Sequence, residues 1–167
     1  MSSMHAKNML LIVLLLCSLN GFSQISDRSD RDRIAQLDEF WTEVSRTIAE
    51  GDFEGYAGTF HEQATLVSGV SGVAYPIAQA LAGWKKDFDD TKSGVRKSSV
   101  AFRFNRRLGD PTTAYESGIF HYSFELNGKK QGYYIHFDGL LVKEGTWKMM
   151  MEYQKSRASK EEWDALE

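Results

Sequence analysis

Cysteine is almost absent from this sequence, since Cys17 is the only one among 167 residues. A chain with one cysteine cannot form an internal disulfide or a cysteine-based metal site. The sequence also lacks a glycine-rich phosphate loop, a nucleophile elbow, a dinucleotide-binding fingerprint and an HExxH pair. We therefore expect no cofactor and no tightly bound metal.

Long runs of positive charge are also missing. The chain has 20 Lys and Arg residues against 23 Asp and Glu residues, which gives a net charge of −3. The basic pairs Lys85-Lys86, Arg106-Arg107 and Lys129-Lys130 are scattered along the chain. Because nucleic-acid binding depends on clustered positive charge, a nucleic-acid partner is not expected.

No apolar run is long enough to cross a bilayer, which takes roughly 20 residues. The longest run near the start, Met9 to Leu16, follows Lys7 and has the length of a signal-peptide core. The small-x-small site Gly21-Phe22-Ser23 comes next. We predict that residues 1–23 are a signal peptide cleaved before Gln24. The protein would then be exported, periplasmic or extracellular, with no membrane association after cleavage.

Cys17 offers an alternative, because lipoprotein signal peptides end at a cysteine that becomes acylated. Leu16, however, precedes it where a small residue is expected. A lipid anchor at Cys17 is thus the less favoured interpretation.

The first half of the remaining chain has helical periodicity. Residues 24–29 are predicted to be a flexible leader. Ser29 and Asp32 resemble a helix N-terminal capping box. Apolar residues then recur at steps of three and four until Gly51, namely Ile34, Leu37, Trp41, Val44 and Ile48. Asp52 can cap a second helix reaching Phe60, and Pro76 suits the start of a third helix.

The second half has the two-residue period of strands. After a short strand over residues 64–67, four strands are predicted over residues 95–104, 115–126, 133–142 and 146–154. A single α+β domain over residues 30–156 follows from this order, with residues 157–167 as a short C-terminal helix or tail.

Four stretches of this domain resemble the SnoaL-like branch of the nuclear-transport-factor-2-like superfamily. They are Phe60 to Leu66, the stretch from Gly72 to Phe88 with the apolar residues Ile77, Leu81, Trp84 and Phe88, Ala114 to Gly118, and Gly145 to Met149. The resemblance implies an α+β cone in which a strongly bent antiparallel sheet wraps the N-terminal helices and leaves a pocket. Members of the superfamily include isomerases, cyclases, dehydratases and non-catalytic binding or oligomerising domains.

One position departs from the catalytic members that the sequence resembles. Gln63 stands where such relatives tend to carry an aspartate, and glutamine cannot act as a general base. Any catalysis of this kind would need another group. The resemblance places the junction near His61 at the pocket wall, so it implies His61 as the candidate catalytic base.

Strand alternation predicts which side chains face the helices. In the last strand, Trp147 and every second residue after it are assigned to the inner face, because Lys148 on the other face is costly to bury. Combined with the resemblance, this predicts a ligand-binding set of Tyr56, His61, Tyr75, Phe102, Tyr122, Met149, Met151 and Tyr153.

The outer face of the sheet is predicted to mix polar and apolar side chains. It would hold Arg103, His121, His136, Asp138 and Glu152 among Ile119, Leu140, Val142 and Met150. An apolar surface of this kind favours a homodimer. A metal or acid–base site at His121, His136 and Glu152 is the alternative, but no spaced motif supports it.

Three functions remain open. The favoured one is an exported domain that binds a small apolar molecule in the cone. The others are an isomerase, cyclase or dehydratase using His61, and a non-catalytic oligomerisation or interaction module whose cone is filled by its own side chains. The volume of the pocket distinguishes the interaction module from the other two functions, because a cone filled by its own side chains leaves no room for a ligand.

We expect the exported protein to begin at Gln24, because the small-x-small site ends at Ser23. Intact-mass measurement of protein recovered after export checks this. A mass that includes a diacylglyceryl group on Cys17 would establish the lipoprotein alternative instead.

Overall fold

The computed structural model describes residues 28–166, so the predicted signal peptide and its cleavage site lie outside the described residues. The first helix, α1, covers residues 28–50. The elements that follow are α2 (Phe53–Gly58), β1 (Phe60–Ser68), β2 (Val73–Pro76), α3 (Ile77–Lys92), β3 (Arg96–Gly109), β4 (Thr113–Leu126), β5 (Lys129–Glu144), β6 (Thr146–Ala158) and α4 (Lys160–Asp164). None of the helices in this part of the chain is both long and apolar enough to span a membrane.

The six strands form one sheet in the order β2-β1-β6-β5-β4-β3. All neighbouring strands are antiparallel except β1 and β6, which run parallel. The register shifts once between β3 and β4 and twice between β5 and β6. Because an extra residue bends its strand and increases the local twist, these shifts help the sheet to curve strongly around the helices. The expected α+β cone is confirmed.

Helix α1 lies in the concave face and supplies the centre of the core. Leu37, Trp41 and Val44 of its apolar stripe are buried. The Trp41 ring lies 4.4 Å from Phe102 and 5.5 Å from Phe137, measured between ring centroids. The predicted stripe therefore packs against the inner faces of β3 and β5.

The turn after α1 requires glycine. Gly51 has a φ of +67°, and a Cβ atom there would lie 2.4 Å from the Lys92 backbone nitrogen of α3. Glycine alone suits this conformation without strain, and it lets the C-terminal ends of α1 and α3 approach closely. Asp52 then caps α2 as predicted, since its carboxylate accepts a hydrogen bond of 3.0 Å from the Gly55 backbone nitrogen.

Several predicted boundaries are wrong. Arg28 and Ser29 are already helical, so Ser29 lies inside α1 and does not cap it. Phe60 and His61 belong to β1, because α2 ends at Gly58 and the chain then pairs with β6. Strand β2 was not predicted at all, and β6 continues to Ala158.

The C-terminal helix α4 packs on the outer face of the sheet. Ser159 and Glu162 form the predicted capping box. Trp163 is buried, with the Arg103 guanidinium 4.5 Å above its ring and the Tyr134 ring 5.8 Å away. His121 stacks on Tyr134 at 4.2 Å. Part of the outer face is thus covered by the chain itself.

A buried ion pair joins α1 to the sheet. The side chain of Glu116 is completely buried, and one of its oxygens accepts hydrogen bonds from Arg107 Nε at 2.8 Å and Trp41 Nε1 at 3.2 Å. Arg107 also donates to Asp38 of α1 at 2.6 Å. Burial raises the pKa of Glu116, although Arg107 and Trp41 oppose this shift. The stability of this contact depends on the guanidinium.

We expect Arg107→Met to lower the free energy of unfolding by about 3–5 kcal/mol at pH 8, because it removes the cation that is hydrogen-bonded to the buried Glu116 carboxylate. Without Arg107 the pKa of Glu116 in the folded state would rise further. The folded state would then bind more protons than the unfolded state. The decrease in unfolding free energy caused by the substitution should therefore become smaller as the pH falls.

Urea unfolding at pH 8 and pH 5.5 measures both effects. Arg106→Met is the matched control, since Arg106 is the neighbouring, exposed arginine. Equal losses in the two variants would show that the Glu116 ion pair contributes nothing specific.

Candidate functional site

The helices do not fill the cone completely, and a cavity of about 410 Å³ remains between them and the inner face of the sheet. Its walls are mainly aromatic and aliphatic. Among the lining residues are Phe40, Trp41, Tyr56, Trp84, Phe88, Val100, Phe102, Phe120, Tyr122, Phe137 and Met149. A cavity of this size and character suits a small, largely apolar molecule.

A bulge in β6 changes which residues face this cavity. Met149 pairs with Leu141 and Met151 pairs with Leu140, so Met150 is an extra residue between them. One extra residue reverses the alternation of every residue beyond it. Glu152 and Gln154 therefore line the cavity. The prediction that Met151 and Tyr153 face inward, with Glu152 outward, is wrong.

Glu152 is the carboxylate of the cavity wall. It pairs with Gly139 of β5, and its Oε1 accepts a hydrogen bond of 2.8 Å from Gln154 Nε2. Burial in the wall of the cone raises the pKa of Glu152, and the Gln154 hydrogen bond only partly offsets this effect. The neutral form of this carboxyl is thereby favoured more than at the protein surface.

Tyr56 of α2 also brings a polar group, its phenol, to the cavity wall. Its ring packs at 4.9 Å from Phe88 and 5.3 Å from Phe60. Burial raises its pKa well above the usual value, and the charge of Glu152 adds to the shift. Its phenol consequently stays protonated near neutral pH and is available as a hydrogen-bond donor or acceptor.

An arginine network behind the wall holds some of the lining residues in place. The buried Arg96 guanidinium donates to Asp87 Oδ1 at 2.9 Å, the Tyr122 hydroxyl at 2.9 Å and Ser98 Oγ at 3.2 Å. It also lies 3.7 Å from the centre of the Phe124 ring. This network fixes the position of Tyr122, and each of the three guanidinium nitrogens of Arg96 donates a hydrogen bond within the protein.

The structure divides the predicted ligand-binding set. Tyr56, Phe102, Tyr122 and Met149 line the cavity. Tyr75 is outside the lining and packs against the core from β2. Met151 and Tyr153 lie on the opposite face of β6 because of the Met150 bulge. The binding roles of those that line the cavity stay predictions.

His61 lies outside the cavity. Phe60 turns inward at the start of β1, so His61 points to the other side of the strand. Its Nδ1 accepts a hydrogen bond of 3.0 Å from the Gln63 backbone nitrogen, and its Nε2 lies 3.5 Å from Glu144 Oε1. This placement contradicts the expectation that His61 reaches the pocket wall, and with it the geometric basis for a catalytic base there.

The alternative site at His121, His136 and Glu152 is not assembled. His121 packs against Tyr134, and His136 Nε2 lies 3.3 Å from Glu162 Oε1 on the outer side. Glu152 is on the other face of the sheet. Within residues 28–166, no three His, Cys, Asp or Glu residues lie close enough together to hold a metal ion.

Comparisons with solved structures identify the architecture. A nuclear-transport-factor-2-like protein from Shewanella oneidensis aligns with a TM-score of 0.55 and 17% identity over 72% of this chain and 96% of that chain. A protein from Novosphingobium aromaticivorans, described as a putative scytalone dehydratase, aligns with a TM-score of 0.62 and 12% identity over 80% of this chain and 89% of that chain.

A third similar structure, from Exiguobacterium sibiricum, is described as a putative calcium/calmodulin-dependent kinase II association domain. It aligns with a TM-score of 0.57 and 14% identity over 75% of this chain and 92% of that chain. No protein-family model and no curated protein matches this sequence. At these identities the likeness establishes the fold and leaves the chemistry to the site. Together with the curved sheet, the enclosed helices and the cavity, it shows that the chain has the cone fold of the nuclear-transport-factor-2-like structures, as the sequence resemblance implied.

Proposed function

We propose that this protein binds a small, largely apolar molecule inside the cone, with Glu152 as the polar contact in the cavity wall. The observation that carries the proposal is the cavity of about 410 Å³, in which aromatic rings surround Glu152, while the other carboxylate of the lining, Asp87, is paired with Arg96. A cone filled by its own side chains would leave no such volume. The cavity therefore favours a binding role over a purely structural interaction module.

Filling the cavity should abolish binding without unfolding the protein. Val100 lines the cavity, so we expect Val100→Phe to reduce affinity at least tenfold for the neutral fluorescent probe N-phenyl-1-naphthylamine. The physical reason is that the added ring occupies space which the probe needs. Fluorescence titration measures the affinity, and thermal melting verifies that the variant is folded.

The matched control is Ala101→Phe, because Ala101 is the next residue of β3 and is exposed on the opposite face. It should bind the probe as the wild type does. If the wild type does not bind the probe, or if both variants bind it equally well, the cavity is not the binding site.

An enzymatic role is the second candidate, and its residues differ from those expected from the sequence. Glu152, whose pKa is raised by burial, shares the cavity with Tyr56 and Tyr122. A carboxyl that holds its proton more strongly than one at the surface, beside a phenol, is suited to proton transfer on a bound molecule. The structural similarity to a protein described as a dehydratase is consistent with this role, with Glu152 replacing His61 as the candidate base.

We also propose that the outer face of the sheet forms a homodimer contact. Helix α4 covers the end near Trp163, but Leu140 remains 42% exposed beside the half-buried Val142 and Met150. Exposed apolar groups on a continuous strand surface favour association with a second copy. The similar structure described as an association domain is consistent with assembly by this fold.

We expect Val142→Lys to shift the protein toward a monomer, because a charge at this position would be desolvated in the contact. Multi-angle light scattering over a range of concentrations measures the mass. Val95→Lys is the control: Val95 is exposed but lies at the start of β3, away from this surface. A wild type that is already monomeric at high concentration would contradict the proposal.

A further inference from the structure

Two of the polar groups left open in the cavity are hydrogen-bond acceptors. One oxygen of Glu152 is bound by Gln154 Nε2, which leaves the second Glu152 oxygen and the Gln154 amide oxygen as acceptors. No Lys or Arg forms an ion pair with Glu152 among residues 28–166. The site therefore presents a carboxyl whose natural partner, a cation, is not supplied by this part of the chain.

Several donors at or behind the cavity wall are already engaged within the protein. Arg96 donates to Asp87, Tyr122 and Ser98. Thr59 donates its hydroxyl hydrogen to the Tyr56 carbonyl at 2.7 Å. Arg157, at the exposed rim, lies 5.3 Å from the centre of the Tyr133 ring. A ligand that reaches Glu152 must accordingly bring its own donor.

The apolar part of the wall favours a positive charge as well. Trp41, Tyr56, Trp84 and Phe102 surround the same cavity as Glu152. The faces of aromatic rings carry partial negative charge and attract cations, most strongly where water is excluded. The carboxylate and the rings thus select for the same kind of ligand.

We propose that the ligand is a lipophilic amine, bound as an ammonium ion that donates to Glu152 while its apolar body packs on the aromatic rings. This inference rests on the proposed binding function and narrows it to one chemical class. A neutral alcohol of the same shape would meet the same rings without the charge attraction. A carboxylate would be repelled by ionised Glu152, and only Arg157 at the rim could attract it.

Binding of an ammonium ion should be linked to protons. In the free protein burial raises the pKa of Glu152, so at a given pH more of this carboxyl is protonated than of an exposed glutamate. The ammonium ion favours the ionised carboxylate, and the displaced proton passes to the solvent. Affinity should therefore rise with pH between pH 5 and pH 8, while the amine itself remains charged.

The other titratable or charged groups around the cavity do not produce the same dependence. Tyr56 keeps its proton, because burial raises its pKa well above the usual value. Tyr122 is hydrogen-bonded to Arg96, and Asp87 is paired with the same guanidinium at 2.9 Å. Arg157 stays charged across this range.

The test uses three probes with the same ring system: 1-naphthylmethylamine, 1-naphthalenemethanol and 1-naphthoic acid. Isothermal titration calorimetry of the purified protein measures their affinities at pH 5, 6.5 and 8. Repeating the titration in buffers of different ionisation enthalpy counts the protons released. We expect the amine to bind at least tenfold more tightly than the alcohol or the acid at pH 8, with proton release of up to one per site at pH 6.5.

Glu152→Gln keeps the shape of the side chain and removes its charge. It should lower amine affinity at least tenfold, abolish proton release and leave alcohol binding unchanged. Glu62→Gln removes the same charge from an exposed position on β1 and should change nothing. Because the variant's alcohol binding reports a folded cavity, misfolding cannot mimic the expected result.

The outcomes separate the two proposals. If the alcohol binds as tightly as the amine, or Glu152→Gln leaves the preference for the amine unaltered, the amine inference is wrong while the cavity still binds ligands. Tighter binding of the acid would assign the polar contact to Arg157 and also overturn it. If none of the three probes binds, the inference and the proposed function both fail.

Discussion

The position of Trp41 is the constraint on which the rest of the cone depends. Its ring packs against Phe102, Phe104 and Phe137, and its indole nitrogen donates to Glu116. One side chain of α1 thereby joins the helix to three neighbouring strands and ends in a hydrogen bond to a buried charge. Since the same ring also lines the cavity, the depth at which α1 lies in the sheet sets how much of the cone stays open.

Two buried carboxyls of the inner face show how similar residues acquire different roles. Glu116 has a guanidinium, an indole donor and a neighbouring arginine in α1, so its charge is held by the fold. Among residues 28–166, the hydrogen-bond donor to Glu152 is an amide from its own strand, and no Lys or Arg pairs with it. A buried charge that lacks a cation is costly for folding, and it persists most readily where a bound molecule can supply the missing partner. The first carboxyl stabilises the structure, and the second is open to chemistry.

The architecture could be predicted from the sequence because it depends on periodicity. The three-and-four spacing of Leu37, Trp41 and Val44 identified the buried side of α1, and the alternation of Val100 and Phe102 identified the inner face of β3. Gly51 and Asp52 marked the break between the first two helices for local reasons of backbone conformation and capping. These signals lie within a few residues of the element that they specify. They could therefore be recognised in the sequence without knowledge of the tertiary structure.

The polar contact of the site could not be predicted in the same way. Alternation counted from Trp147 placed Glu152 outside, and the bulge at Met150 reverses that assignment. Nothing in the run Met149-Met150-Met151 specifies which residue is extra, since the choice depends on pairing with β5. The one local sign was Gly139, a glycine in a strand interior, where bulges and close approaches are common. Glu152 pairs with it, and Met149 lies so close that a Cβ at Gly139 would be 3.2 Å from its terminal methyl group.

The prediction that His61 lies at the pocket wall was wrong for a related reason. The sequence predicted that α2 reaches Phe60 and that β1 starts after His61, whereas β1 begins at Phe60, and a strand offers only one of two faces to each residue. Phe60 takes the inward position, so His61 must point away from the cavity. Gln63 is exposed on the same strand and likewise takes no part in the cavity wall. The first strand thus contributes shape to this cone, while its polar chemistry comes from the last strand. Because a fold does not determine the groups inside its cavity, the function must be argued from Glu152 and its surroundings.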